Sequence, residues 1–333
     1  PPCTGAAAMT HAAPAPAAAA PSELFDVVIV GGGPAGLSAA IWLGRYLHSV
    51  ALVDSGDPRN WETRGVNGFL GQPHVRPPEL RAIGREEARR YAGVTLLDAV
   101  VEHVVRHDDE RFALRLADGR VLAARRLLLA IGIRDVWPDV PGLERVYGNR
   151  AHVCPDCDGY EARDRKTVVI GTGRRAVGMA LSLATWTREL TVCTHGEEPG
   201  FDETLRGKLD TLGIPVVTER IRRIHFRDDA MRSLELEGRE LLGCEKIFFS
   251  IAQYPADDLG EQLGCERDEE GRITTDRAHH TSVWNVFAAG DITPGPQLAI
   301  KAAAEGAVAA LAIHKSLLPE ELRMPEAAEA ATP

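Results

Sequence analysis

No stretch of the 333-residue chain approaches the ~20 consecutive apolar residues that a membrane helix needs. The longest candidate, residues 298–318, is interrupted by Lys301 and Glu305, so a soluble protein with no membrane partner is expected. Runs of Lys and Arg are also missing. With 48 acidic against 38 basic residues the net charge is -10, and nothing tracks a phosphate backbone, which argues against nucleic acid as a partner. Cysteine is scarce: six residues are too few and too scattered for a disulfide framework, and Cys3, Cys193, Cys244 and Cys265 have no close sequence partner. A reducing, cytoplasmic setting is expected. The Ala/Pro-rich opening lacks the basic start and apolar core of a secretory signal, and residues 1–22 read as a disordered tail.

Glycine is placed with purpose. From Phe25 the chain runs FDVVIVGGGPAGLSAAIWLGR, an apolar strand, a glycine turn and a helix lined with small residues. Gly31, Gly33 and Gly36 supply the G-x-G-x-x-G spacing, with Pro34 and Ala35 leading into the helix. Missing side chains there permit a tight turn, backbone approach to a pyrophosphate and close helix–strand packing. Asp54 ends the next strand, SVALVD, at the position of an acid that bonds a ribose hydroxyl.

A second unit, KTVVIGTGRRAVGMALSLATWTRELTVC, repeats the plan with Gly171 and Gly173 ahead of Ala176. Arg174 and Arg175 in its loop read equally as phosphate ligands and as solvent-facing charges. The THGEEPG that follows offers neither a terminal acid nor an arginine pair for a 2′-phosphate. Between the units, VEHVVR, RFALRL and VLAARRLLLAIG alternate as a β-meander. Near the end, TSVWNVFAAGD closes a strand on Gly290 and Asp291, ahead of a long helix rich in small residues.

The segment AHVCPDCDGYEA sets Cys154 and Cys157 two residues apart, with Asp158 directly behind. That spacing serves a redox dithiol, half a zinc site or two buried thiols. Zinc needs two further ligands, and the chain has no second CxxC. Pro155, Asp156 and Gly159 favour an exposed turn or helix start over a core strand, which leaves redox work as the better reading. His152 favours a thiolate if protonated but reads as structural.

Taken in order, GGGPAG, LLLAIG, CPDCDG, GTGRRA and TSVWNVFAAGD resemble the low-molecular-weight thioredoxin reductases, flavoproteins with two dinucleotide folds. The resemblance implies an α/β fold with two Rossmann-like domains. The FAD domain is discontinuous, residues 23–137 and 254–325, a three-layer ββα unit with an inserted β-meander. A pyridine-nucleotide-type domain, residues 138–253, carries the CxxC between hinges at 136–141 and 250–255. FAD is then expected at Gly31, Gly33, Pro34, Ala35, Gly36, Asp54, Ile131, Gly132, Gly290, Asp291 and Gln297. NADPH or NADH is the implied donor, with Gly171, Gly173, Arg174 and Arg175 as its loop.

The implied partner is a thioredoxin-like protein or a small disulfide, and the implied assembly is a homodimer. Cys157 becomes the flavin-facing sulfur, Cys154 the thiolate that attacks substrate, and Asp158 the proton donor and acceptor. Two departures stand out. Thr194-His195-Gly196 replaces the phosphate clamp of the main group, and DSGDPRNWETRGVNGFLGQP replaces its Gly-Gly-Gln segment. Arg59, Asn60 and Asn67 in that loop read either as polar neighbours of the isoalloxazine or, more commonly for such residues, as turn-formers and caps. Related branches include dithiol oxidases that use oxygen and ferredoxin-linked reductases; a non-catalytic flavin redox sensor is a further alternative.

Overall fold

The computed structural model describes residues 23–60, 62–227, 230–238 and 240–323. The expected tail over residues 1–22, Cys3, and residues 324–325 lie outside them. The chain opens on a buried apolar strand, β1 (Leu24–Val30), and turns through Gly31–Gly33 into α1 (Pro34–Arg45). Pro34 begins that helix, where a missing N–H leaves no bond unmade. β2 (Val50–Asp54) pairs parallel to β1, and α2 (Pro77–Arg89) leads to β3 (Val94–Asp98), parallel to β2. All five residues of β2 are buried, as both faces of a covered parallel sheet require. The meander follows as β4 (Val101–Arg106), β5 (Phe112–Leu116) and β6 (Val121–Leu129).

The chain leaves this lobe along β7 (Ile133–Asp135). The second lobe contains β8 (Ala151–His152), α3 (Pro155–Asp158), β9 (Thr167–Ile170), α4 (Gly173–Leu183), β10 (Leu190–Cys193), α5 (Glu203–Thr211) and β11 (Val216–Val217). An antiparallel sheet of β12 (Ile221–Arg227), β13 (Ala230–Leu236) and β14 (Leu241–Gly243) precedes β15 (Lys246–Phe249). β16 (Gln253–Pro255) returns to the first lobe, which ends with α6 (Leu259–Gln262), β17 (Val286–Ala288) and α7 (Ala299–Leu317).

β6 is the branch point of the first lobe. Its early residues pair antiparallel with β5, its length pairs parallel with β1, and its last three residues pair parallel with β17. Leu127 and Leu129 face the core shared with the meander, whereas Leu128 faces the one shared with α1 and α7. That alternation makes three layers. α7 lies close on α1 because Gly306 has no side chain: a Cβ there would overlap the Ala35 carbonyl.

In the second lobe the parallel order is β11-β10-β9-β15-β8, with α4 against one face. The antiparallel β12-β13-β14 sheet covers the other through Ile224, Leu234 and Leu236. That small sheet was not anticipated, although IRRIHFR carries part of a period-2 pattern. β7 and β16 pair antiparallel, with Tyr254 opposite Arg134, so both passages of the chain between lobes lie side by side.

Candidate active site

A cavity of about 400 Å³ opens where β1, β2, β6 and β17 end, bounded on its far side by the second lobe. Gly31, Gly33, Pro34, Ala35 and Asp54 form one wall. Ile131, Gly132, Gly290, Asp291 and Gln297 form another, and Cys154, Cys157 and Asp158 face them. Of the residues expected around FAD, Gly36 alone is off the wall; it packs, since a Cβ there would overlap the Gly31 carbonyl oxygen.

The wall suits a dinucleotide. Gly31 sits at φ 107°, where a Cβ would also run into the Ala130 carbonyl, so only glycine makes this turn. A Cβ on Gly33 would meet nothing within 4 Å, so the backbone there presents an open face to a ligand at the positive end of the 12-residue α1. Asp54 is buried, and its Oδ2 is bound by Arg81 and, at 3.1 Å, by Arg85, both from α2. Arg81 also lines the cavity and donates to the Gly32 carbonyl at 3.3 Å. The sequence reading missed both arginines, and their i,i+4 spacing in RAIGR is the signal that pairs them on one helix face.

Of the two readings of the loop, the structure favours the one that places it inside the site: Arg59, Asn60 and Asn67 all line the cavity. Arg59 donates to both oxygens of Asp135, at 2.5 and 2.6 Å, to Gln297 Oε1 at 2.8 Å and to Asp291 at 3.2 Å. Gln253 bonds Asp135 and exchanges two hydrogen bonds with Gln297, at 2.8 and 3.1 Å. Burial opposes the Arg59 charge, but Asp135 and Asp291 outweigh it and its pKa is raised. Burial likewise raises the Asp291 carboxyl, against the pull of Arg59. Nothing local in sequence announces these pairings, because they join residues of four separate segments.

Cys154 and Cys157 form a disulfide with Cα atoms 5.3 Å apart. Cys154 caps α3, Pro155 opens it, and the Cys157 N–H donates to Cys154 Sγ at 3.2 Å. Asn67 of the first lobe donates to the Cys157 carbonyl at 2.9 Å and so holds the disulfide against the cavity. Gly159 lets the turn pack on Trp186, whose ring a Cβ would overlap. Asp158 lies 3.3 Å from His152 Nδ1. The other described cysteines, Cys193, Cys244 and Cys265, are buried, and burial pushes their thiols up, Cys193 to about 11. Thiolate chemistry at neutral pH is therefore confined, among the described cysteines, to the CxxC pair.

The second glycine loop lies elsewhere. Gly171 sits at φ 151° against the Ser250 carbonyl, and the Gly173 N–H donates to Pro199 at 2.8 Å, so the loop 196–200 folds over the turn. Arg175 is paired with Glu270 at 2.5 Å, and Arg174 is exposed. His195, where a phosphate clamp is sought, accepts from the Ile221 N–H through Nδ1 and contacts the Asp139 carbonyl through Nε2, each at 3.0 Å. Burial holds its pKa below the usual histidine range.

A fold of two dinucleotide-binding lobes with a disulfide between them defines a class of flavin-linked oxidoreductases. The chain belongs to that class by descent: residues 25–306 match the pyridine nucleotide-disulphide oxidoreductase family. It is 36% identical to HlmI, whose crystal structure superposes with a TM-score of 0.82 over 86% of this chain and 91% of that one. TrxB from Bacillus anthracis is 30% identical, with a TM-score of 0.82 over 87% and 98%. Thioredoxin reductase tcpT of Claviceps purpurea is 29% identical over 279 residues, 81% of this chain and 87% of that protein. The protein is an FAD-dependent disulfide oxidoreductase of the thioredoxin reductase type, and its family draws electrons from NAD(P)H.

Proposed function

We propose that the protein carries two electrons between FAD and the Cys154–Cys157 disulfide and exchanges them with a thioredoxin-like protein or a small disulfide. One observation carries this reading: the disulfide lines the same cavity as the Gly31–Gly33 turn, tethered there by Asn67. FAD, when bound, supplies the relay from a hydride donor to a disulfide. Gly31, Gly33, Pro34 and Ala35 would hold its phosphates, Asp54 and Arg81 a ribose, and Asp291 and Gln297 the chain beyond. Cys157 faces the flavin, Cys154 exchanges with substrate, and Asp158 moves a proton to and from the sulfurs. We further infer a homodimer, supported by Trp42 on α1 and Val308 and Leu311 on α7, which stay exposed, and a cytoplasmic setting, supported by the scarcity of cysteine.

A second reading, a dithiol oxidase working in the opposite direction, is favoured by the Pro199 carbonyl on the Gly173 N–H and by a His195 already engaged. Anaerobic addition of NADPH, NADH, reduced ferredoxin or a dithiol to the holoenzyme decides between them. Rapid flavin bleaching by a nucleotide supports the reductase; bleaching by a dithiol alone, with peroxide formed when oxygen is admitted, supports the oxidase. Cys157→Ser should abolish disulfide turnover while a nucleotide still bleaches the flavin.

A further inference from the structure

Behind the dithiol the second lobe buries a row of titratable groups that core packing does not need. Lys246, at the start of β15, is 5% exposed, as is His152 on neighbouring β8. Lys246 Nζ donates to the Asn149 carbonyl at 2.9 Å and lies 3.2 Å from His152 Nε2. His152 Nδ1 lies 3.3 Å from Asp158 Oδ1, and Asp158 reaches the cavity that holds both sulfurs. The row therefore runs from the interior of the lobe to the site.

Its hydrogen-bonding demands are paired. Against Asp158, His152 donates from Nδ1; its Nε2 then accepts from a Lys246 ammonium, or, carrying a proton, donates to the Asn149 carbonyl 3.2 Å away. Each state of the lysine thus selects a state of the ring. The charged groups acting on Lys246 are Arg150, Arg165, Asp158 and Glu161. Burial first, and Arg150 next, push its pKa down to about 8.

We propose that Lys246 and His152 are positioning residues that act as a proton reserve for Asp158 during disulfide exchange. The proposal rests on Cys154–Cys157 being the reacting pair. When that disulfide takes two electrons from the reduced flavin, the S–S bond breaks and two sulfur anions would result. One takes a proton that Asp158 relays from His152, leaving a thiol and a thiolate. His152 passes its Nδ1 proton to the Asp158 carboxylate and receives one at Nε2 from the Lys246 ammonium, which becomes a neutral amine until solvent reprotonates it. In the oxidising direction every transfer reverses.

The test compares wild type, Lys246→Met and Lys246→Arg as holoenzymes, with Cys157→Ser as the blank. Disulfide turnover, and separately the alkylation of the reduced dithiol by iodoacetamide, are followed from about pH 6 to about pH 10. Wild-type turnover should show a limb at about 8, and alkylation should rise with the thiolate along a profile that shifts when Lys246 is changed. Lys246→Met should lose that limb and about tenfold in turnover at neutral pH. Lys246→Arg, which keeps the charge but cannot release the proton, should not restore it. A turnover limb that persists in Lys246→Met, an alkylation profile identical to wild type in that variant, or full recovery in Lys246→Arg, overturns the proposal. If Lys246→Met melts early or loses flavin, His152→Gln carries the same expectation, and a limb there overturns it equally. Turnover by Cys157→Ser removes the proposal together with the reading beneath it, whereas an inactive Cys157→Ser beside an unchanged Lys246→Met profile removes the relay alone.

Discussion

Arg59 and Asp135 stand 76 residues apart in sequence and are joined by two parallel contacts of 2.5 and 2.6 Å. Asp135 ends the strand by which the chain leaves the first lobe, and Gln253, on the strand by which it returns, bonds the same carboxylate. A single arginine from a cavity-lining loop thereby fastens both crossings between lobes. The pair is largely out of solvent, with side chains 17% and 6% exposed, so its bidentate geometry is barely screened.

Arg59→Ala should therefore be costly. It strands Asp135 and Asp291 without their cation, and loss of one partner of a buried pair is worth about 3–5 kcal/mol. Burial already holds the Asp291 carboxyl above its ordinary value, and removing Arg59 raises it further. The deficit should be largest at neutral pH and shrink as acid lets that carboxyl take a proton. Urea unfolding of wild type and variant at several pH values measures this; a deficit that grows in acid would contradict it.

Asp158→Asn keeps the shape of the cavity wall but cannot exchange a proton. Flavin bleaching by the donor should survive, and disulfide turnover should fall about 10²- to 10⁴-fold, the usual worth of a positioned acid or base. Single-turnover absorbance separates the two steps. Equal loss in both would assign Asp158 to folding or flavin binding.

Gly31→Ala tests the cradle. At φ 107° and against the Ala130 carbonyl the added methyl has no place to go, and the turn must open by distorting β1 or β6. Purified variant should carry far less flavin per chain than wild type. Gly33→Ala, where a Cβ meets no protein atom, should fold normally yet bind flavin more weakly, because the methyl occupies space meant for the ligand.

Asp257, just beyond β16, gives a pH signature of its own. Burial pushes its carboxyl up to about 6, although its Oδ1 accepts the Leu259 N–H. A pKa raised in the folded state means the protein is most favoured with this group protonated, below its unfolded value of about 4. That stability is lost as pH rises through about 6 and the buried carboxylate forms. Asp257→Asn should gain about 1–2 kcal/mol at neutral pH after discounting for partial exposure, with no gain below about pH 4. A variant destabilised at neutral pH would mean that the carboxylate is held by something other than the Leu259 amide.

Much of the architecture is legible in local pattern. Glycine spacing marks both dinucleotide turns, because only a missing side chain tolerates the carbonyl contacts at Gly31 and Gly171. Apolar runs parted by turns mark the meander at VEHVVR and RFALRL, although burial in β4 falls every third residue, across a register shift between Val101 and His103, instead of alternating. CPDC marks a helix start carrying two sulfurs at a spacing that one bond can close. These signals survive in sequence because each is a constraint among residues a few positions apart.

Only the tertiary structure decided who meets whom across long separations. Arg81 and Arg85 close on Asp54, Arg59 crosses to Asp135 and Asp291, Asn67 holds Cys157, and Lys246 stands behind His152. A charged side chain in isolation belongs equally well in water. It becomes part of a site when folding removes the water and leaves one partner within reach, and that choice is made by the packing of whole elements, not by the residues beside it in the chain.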